Sequence, residues 1–435
     1  MSHKKTYSVH ALVIWIAISI PLVASLLGNA EKPNLVGLVM ANERPKFNSE
    51  NWFNGIYQQQ NDDYNNDRWG LKEIMVRLNN QLYYSLFNQI RVNGFIIGKE
   101  DYVFSESYIF SAMGDDEIDE GKVIDLMIKA KVVQDTLKKK GIDLLFVYAP
   151  GKGKYCMEFV PDKYIHQVNQ TNHSLFVKHG KEIGINHLDL YTWFEELRPR
   201  TKHPLFPKFG HHWSYYGECL AMDTLIKHIE FLQGNRMPHI AWKDIEISDT
   251  ARSRDADVLN SMNLLKSPEQ NMKLAYPNIY FEGDTLNNTR VLTISDSYWY
   301  GPVYMGVPAN CFAGGQFWYY YNKVIPSPIP GEKVEVWQLD LREAIESNKV
   351  IMLLYSDGNL PAFGNGFIND AYELYVNPIS FYKRVETRNQ IQTFAKQIRE
   401  TPVLLKKVTQ KSKVQQISLD SAIKSEAMKM AGMLQ

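Results

Sequence analysis

Apolar positions along the chain fall into three patterns, each predicting a different element. The first is the run of residues 11–27 (ALVIWIAISIPLVASLL), which carries no charge and is apolar on all sides. A core helix at a domain surface keeps one polar face, so this run reads instead as an export segment, with Lys4 and Lys5 as its cationic flank. Counting Val9, His10 and Gly28 it reaches about 20 residues, the lower edge of what spans a bilayer. Two outcomes stay open. As a single-pass anchor it keeps Lys4 and Lys5 in the cytoplasm and places residues 31–435 outside. As a signal peptide it is removed at the small-x-small site Gly28-Asn29-Ala30.

The second pattern is helical. Leu71, Ile74, Met75, Leu78, Leu82 and Leu86 recur at three- and four-residue intervals and predict a helix over 71–90. A strand pair is expected at 95–98 and 102–104, joined by the turn-like Lys99-Glu100-Asp101. The third pattern is the unbroken apolar run: 143–148 (DLLFVY), 290–294 (RVLTI) and 350–355 (VIMLLY). These alternate with helices expected at 121–140, 174–184, 214–232 and 341–347, and with a short strand at 187–190. Continuous apolar strands between helices predict a parallel sheet covered on both faces. Residues 144–148, 291–294 and 351–355 should therefore be neighbouring or near-neighbouring parallel strands of one sheet. In such sheets chemistry sits beyond the carboxyl ends of the strands.

The flanks differ. Residues 31–69 are polar and rich in Asn and Gln, and read as an extended lead-in. Residues 381–435 carry 11 Lys and Arg against 4 Asp and Glu, with Thr401-Pro402 as a helix start and Leu404, Leu405, Val408, Ile417, Ala422, Ile423 and Met430 as an amphipathic series. The boundaries expected are thus 1–30 for the export segment, 31–90 for the lead-in and first helix, 91–380 for an α/β domain and 381–435 for a basic helical tail. That tail is either a solvated face or a contact to a membrane surface or acidic polymer.

Composition narrows the functions. The 48 Lys and Arg balance the 48 Asp and Glu, which removes any global field toward nucleic acid. Cys156, Cys219 and Cys311 form no metal or redox clip, and one disulfide with a spare thiol or three thiols are both compatible. Gly151-Lys152-Gly153-Lys154 lacks the spacing of a phosphate loop. His203, His211 and His212 lack a carboxylate at ligand spacing, so no metal site is expected. The nucleophile elbow G-x-S-x-G is absent.

Two segments do carry chemistry. Thr293-Ile294-Ser295-Asp296-Ser297-Tyr298 follows a buried strand, where a serine can expose its Oγ and, if a helix follows, the free amides can stabilise an oxyanion. Taken alone, it is also compatible with a Ser-Asp turn that merely caps the next helix. Phe209-Gly210-His211-His212-Trp213-Ser214 leads into a helix, and a loop His held beside a large aromatic suits a general base. A loop His satisfied by ordinary hydrogen bonds fits the same pattern.

Together, the strand-SDS turn, the HHW loop, the export segment and the α/β alternation resemble the SGNH-hydrolase superfamily, in its exported branch related to alginate O-acetyltransferases. There a D-x-H-W or D-H-H-W loop precedes a GDS-type serine, and the His-before-Ser order here is that of the permuted branch. Residues 95–104 (FIIGKEDYVF) are similar to the family's V-I-V-G-K-D-G-W-L-F stretch. Asp67-Arg68-Trp69 resembles its D-R-F, and Ala149-Pro150-Gly151-Lys152 its P-x-K turn. The blocks are scattered over roughly residues 40–375. One departure stands out: Gly210 occupies the place of the family's catalytic Asp. The orienting acid then comes from elsewhere, with Asp189, Asp296 and Asp357 as strand-end candidates, or a Ser-His dyad works without one, or the site is degenerate.

The resemblance implies a three-layer α/β/α SGNH-hydrolase-like domain with a parallel sheet, an N-terminal membrane segment and a helical C-terminal tail. It implies an exported O-acyltransferase acting on a polysaccharide, with Ser297 as nucleophile, His212 as base and Trp213 and Lys152 shaping the site. No cofactor or metal is implied. The acyl donor would be an integral-membrane O-acyltransferase, the location the periplasmic side of the cell membrane or, after cleavage, the periplasm. The alternatives are a carbohydrate esterase of the same fold and a non-catalytic polysaccharide-binding scaffold of an export complex, the latter supported by Gly210.

Overall fold

The computed structural model describes residues 3–26, 35–37, 42–283 and 289–433. The expected cleavage motif at 28–30 lies outside the described residues. By contacts the chain divides into two units. One comprises Met1–Arg91, Asn260–Ser267 and Thr387–Gln435, the other Val92–Leu259 and Pro268–Glu386.

In the first unit the apolar run forms the helix His3–Leu26. Its outer side chains are bare to solvent, with Trp15 71%, Ile18 69% and Leu12 60% exposed. Even so, among the described residues no helix is long and apolar enough to cross a membrane, and the expected membrane segment gains no support from the structure. The uncharged stretch is short for a bilayer. Its last turn is also taken up by the protein, because Ser25 Oγ accepts the Gly70 N–H at 2.6 Å. The lead-in is not extended as expected, since it contains the helices Ser49–Phe53 and Ile56–Arg68. The first starts where Asn48 Oδ1 accepts the amides of Glu50 and Asn51, a cap that polar composition alone did not reveal. The predicted helix at 71–90 is Lys72–Phe87. The tail is helical, with Pro378–Glu400 running in from the other unit and Pro402–Gln415 and Leu419–Met430 following. Ala395, Ile398, Val408, Ala422, Ile423 and Ala427 form the small core between these helices.

Among the described residues the second unit holds ten strands: β1 Phe95–Ile97, β2 Val103–Ser105, β3 Asp143–Ala149, β4 His187–Asp189, β5 His239–Ser248, β6 Leu274–Glu282, β7 Val291–Ser295, β8 Phe317–Tyr319, β9 Lys323–Ile325 and β10 Val350–Ser356. Six of them form the central sheet in the order β4-β3-β10-β7-β8-β9. All neighbours are parallel except β9, which returns antiparallel to β8. The three apolar runs are therefore adjacent parallel strands, with β10 between β3 and β7. Alternation along them fills two cores. Leu145, Val147, Met352 and Leu354 belong to one, while Leu144, Phe146, Ile351 and Leu353 belong to the other. Residues two apart share a face, so both faces are covered and the layering is α/β/α. β1 and β2 pair antiparallel as expected. The antiparallel ribbon β5–β6 was not predicted. Its strands are mostly half-buried or exposed, so their polar residues mask the apolar signal of a core strand.

Candidate active site

β7 ends at Ser295, and the short helix Ser297–Trp299 begins directly beyond it, opposite the end of β10. Asp296 fixes this turn. Its carboxylate is buried and accepts from the Tyr298 amide at 2.9 Å, the Ser356 amide at 2.9 Å, Ser356 Oγ at 2.7 Å and Asn359 Nδ2 at 2.9 Å. Four donors on one carboxylate tie the turn to the end of β10 and leave the neighbouring Ser297 only half-buried.

The histidine loop is held from three directions. Ser214 caps the helix Tyr215–Gln233 by accepting the Gly217 amide, and its hydroxyl donates to Pro204 O at 2.7 Å. Lys152 is almost wholly buried, and its Nζ donates to Lys208 O at 2.7 Å and Gly210 O at 2.9 Å. Burial pushes this amine down to about 8. Its two bonds pin the loop backbone. Trp213 is buried edge-on against Tyr298, centroids 4.9 Å apart, which braces the loop against the serine turn.

Within this frame His212 Nε2 lies 2.9 Å from Ser297 Oγ, across 85 positions of sequence. The other ring nitrogen, Nδ1, lies 2.8 Å from Asp257 Oδ2. Burial raises the Asp257 carboxyl, but hydrogen bonding and charge from His212, with help from His211, outweigh it and bring the group down to about 2. An ionised carboxylate only accepts, so Nδ1 carries the proton and Nε2 is free to accept from Ser297. Burial first, and the Arg254 charge second, lower the His212 pKa from its ordinary value, which keeps the ring neutral near pH 7. His211 takes no part in the relay. Its ring packs against Phe95 and Tyr108, at 5.2 and 4.6 Å between centroids, and its backbone amide donates to Asp257 Oδ1 at 2.9 Å.

The carboxylate hydrogen-bonded to His212 is thus Asp257, and none of the three expected from sequence. Asp189 caps the helix Leu190–Leu197 and pairs with His173 at 2.9 Å. Asp296 is consumed by the turn, as above. Asp357 is buried, accepts the Gly358 amide at 2.8 Å, and is pushed well above the usual carboxylate range by that burial. Nor does the dyad alternative describe this geometry, since a carboxylate does reach His212. The departure at Gly210 has a steric reason. A Cβ there would stand 2.4 Å from Pro207 Cγ and 2.9 Å from Asp255 O. The loop comes too close to the Asp255–Asp257 segment to hold a side chain, and that same segment supplies the acid. Asp257 was missed because it lies in a charged stretch, Arg252-Ser253-Arg254-Asp255-Ala256-Asp257, without apolar period. The only available hint was a polar loop followed by the short helix Asp257–Ser261.

A serine just beyond a parallel strand thus faces a His from the loop before the helix Tyr215–Gln233 and, through it, an Asp that starts the helix Asp257–Ser261. Residues 96–280 match the family model described as the SGNH hydrolase-like domain of the acetyltransferase AlgX, so this part of the chain is similar to that domain. The matched stretch contains His212 and Asp257; Ser297 lies beyond its end. Among solved structures the chain is similar to the O-acetyltransferase domain of Pseudomonas putida AlgJ, at 15% identity and TM-score 0.41, over 64% of this chain and 99% of that one. It is also similar to Pseudomonas aeruginosa AlgX, at 12% identity and TM-score 0.39, over 63% of this chain and 66% of that one. Bacillus cereus PatB1 matches at 13% identity and TM-score 0.37, over 61% and 97%. No curated protein matches the chain in sequence. Among the described residues no cluster of His, Cys, Asp and Glu is arranged to hold a metal ion.

Proposed function

We propose that the protein is an O-acyltransferase that moves an acyl group, most simply acetyl, onto a polysaccharide hydroxyl through an acyl-serine. The observation that carries this reading is the continuous relay Ser297–His212–Asp257, at 2.9 and 2.8 Å. Ser297 Oγ attacks the donor ester carbonyl as His212 Nε2 takes its proton, and the tetrahedral intermediate collapses with loss of the donor alcohol, which receives that proton. A sugar hydroxyl then gives its proton to His212 and attacks the acyl-serine, and Ser297 regains a proton from the imidazolium. Asp257 keeps the tautomer and offsets the imidazolium charge in both halves. The Tyr298 amide is committed to Asp296, so the oxyanion falls to the Ser297 amide and neighbouring donors.

Export is part of the proposal. It rests on Lys4 and Lys5 ahead of the apolar run and on the exposed apolar surface of His3–Leu26. The fuller form of the reading is a single-pass protein with its α/β unit on the periplasmic side, or free in the periplasm after cleavage, with an integral-membrane O-acyltransferase delivering the acyl group. Hydrolysis by water gives the esterase variant of the same mechanism. The scaffold reading loses its main support, because Asp257 stands in for the acid missing at Gly210. The test is hydrolysis of p-nitrophenyl acetate by the purified protein and by Ser297→Ala. The wild type is expected to release p-nitrophenol and Ser297→Ala to fall to background. Equal rates in the two would return the protein to the scaffold reading.

A further inference from the structure

We infer that Arg254 is a positioning residue of the reaction, tying the turn that carries the nucleophile to the segment that carries the acid. This deepens the acyltransferase reading and rests on it. Ser297 O accepts from two donors. One is local, the Tyr300 amide at the end of the short helix Ser297–Trp299. The other is Arg254 Nη2, at 3.1 Å and 43 positions away in sequence. Asp257, three residues after Arg254, meets His212 Nδ1 at 2.8 Å. Residues 254–257 thus hold the relay at both ends, with one side chain on the serine's own carbonyl and another on the base. The segment is itself fixed. Asp255 Oδ1 accepts the Tyr215 amide at 3.0 Å, Asp257 Oδ1 accepts the His211 amide at 2.9 Å, and the Arg252 amide donates to Tyr276 Oη at 2.9 Å. Ser253, directly before Arg254, has φ 48°, in the left-handed region that residues with a side chain seldom occupy. Strain of this kind persists where surrounding contacts over-determine the backbone, and it gathers at functional sites. Asp296 binds the serine turn to β10, and Arg254 restrains it from the acid-bearing segment.

The guanidinium brings a charge as well as a bond. Its Nε is buried with no hydrogen-bond partner among the described residues. Leaving a charged donor buried and unsatisfied costs free energy, and such a group calls for a role. Two acids that feel its charge, Glu218 and Asp255, are pushed up to about 7 by burial. Near neutrality each is only partly ionised and offsets the cation incompletely. The groups facing His212 are Asp257 from the helix Asp257–Ser261, Asp296, Ser297 and Tyr298 from the serine turn, His211 from its own loop, and Arg254. The two aspartates favour the imidazolium, whereas burial and Arg254 oppose it. Arg254 therefore acts through its neighbours in two ways. It holds the Ser297 peptide so that Oγ faces Nε2, and it keeps the imidazole neutral and able to accept.

The test compares full-length wild type, Arg254→Gln and Arg254→Lys in two readouts. In the first, turnover of p-nitrophenyl acetate is followed against pH. Arg254→Gln is expected to lower kcat by about 10–100-fold with KM unchanged within about threefold, the loss that a small misplacement of reacting groups produces. Removing the cation favours the imidazolium, so the acid limb should move to higher pH, toward the ordinary 6.5. Arg254→Lys retains the charge, and should leave the limb in place while recovering part of kcat. A rise in KM with kcat unchanged would make Arg254 a substrate-binding residue. An equal fall in kcat in both variants, with the limb unmoved, would make it a structural one. Either result overturns the inference. In the second readout, the His212 pKa is measured by NMR of protein labelled with 15N-histidine in the Ser297→Ala background, which needs no turnover. It is expected to rise in Arg254→Gln and to stay in place in Arg254→Lys. No rise in Arg254→Gln overturns the inference whatever the rates. That rise, together with no Ser297-dependent turnover in the wild type, overturns the acyl-serine reading and leaves the coupling of Arg254 to His212 standing.

Discussion

Asp257→Asn is expected to lower kcat for acyl transfer by about 10³–10⁴, the scale set by removing the acid of a Ser-His-Asp relay elsewhere. The amide fits the same space, so the effect is electrostatic and tautomeric. An Asn facing Nδ1 can donate to it, which moves the ring proton to Nε2, the atom that must accept from Ser297. The pH profile gives a second readout. The base works as neutral imidazole, so kcat/KM rises with pH as His212 loses its proton. Because burial and Arg254 lower the His212 pKa, the acid limb of the wild type should lie below the ordinary imidazole value of 6.5. The Asp257 carboxylate opposes that lowering. Its removal should therefore push the limb to still lower pH, although the plateau falls. Asp189→Asn, which changes a helix cap away from His212, should leave the limb in place. A plateau within tenfold of wild type in Asp257→Asn would show that the carboxylate merely packs against the ring.

Restoring the family's acid at its usual position is expected to damage the protein. Gly210→Asp places a Cβ 2.4 Å from Pro207 Cγ and against the backbone oxygens of Asp255 and Arg254 at 2.9 and 3.2 Å. Overpacking of this kind costs about 1–3 kcal/mol, which for a unit of this size lowers Tm by about 2–5 °C. The segment pushed aside carries Asp257, and a displacement of about 1 Å in such a constellation costs about 10² in rate. Differential scanning calorimetry and esterase assays on Gly210→Asp and Gly210→Ala should therefore move together, with Ala already harmful. An Asp at this position that raised activity would mean that the loop relaxes and that Asp257 is dispensable.

These two positions also show where sequence was informative. β3, β7 and β10 were legible because a strand buried on both faces has no polar residue to interrupt it. Ser297 and His212 were legible through their neighbours, Asp296 and Trp213, whose spacing the family resemblance could fix. Asp257 was not, because its role depends on a contact 45 positions away in sequence from His212, and nothing in a polar loop records which backbone it approaches. Gly210 read as the loss of an acid, whereas the three-dimensional approach of Asp255 to it explains the absence of a side chain there. β5 and β6 escaped for a different reason: a two-stranded ribbon half-open to solvent has no unbroken apolar run. The helix at 49–53 is set by the Asn48 cap and that at 56–68 by polar contacts, which leave little trace in hydrophobic pattern.

The most direct test of the relay is peptide mapping by mass spectrometry of acid-quenched protein after brief exposure to p-nitrophenyl acetate, for the wild type, His212→Ala and Asp257→Asn. An acetyl group confined to Ser297 is predicted in the wild type, with labelling slowed by orders of magnitude in both variants. Labelling spread over surface lysines with Ser297 unmodified, or Ser297 labelled at the same rate in all three proteins, would contradict it.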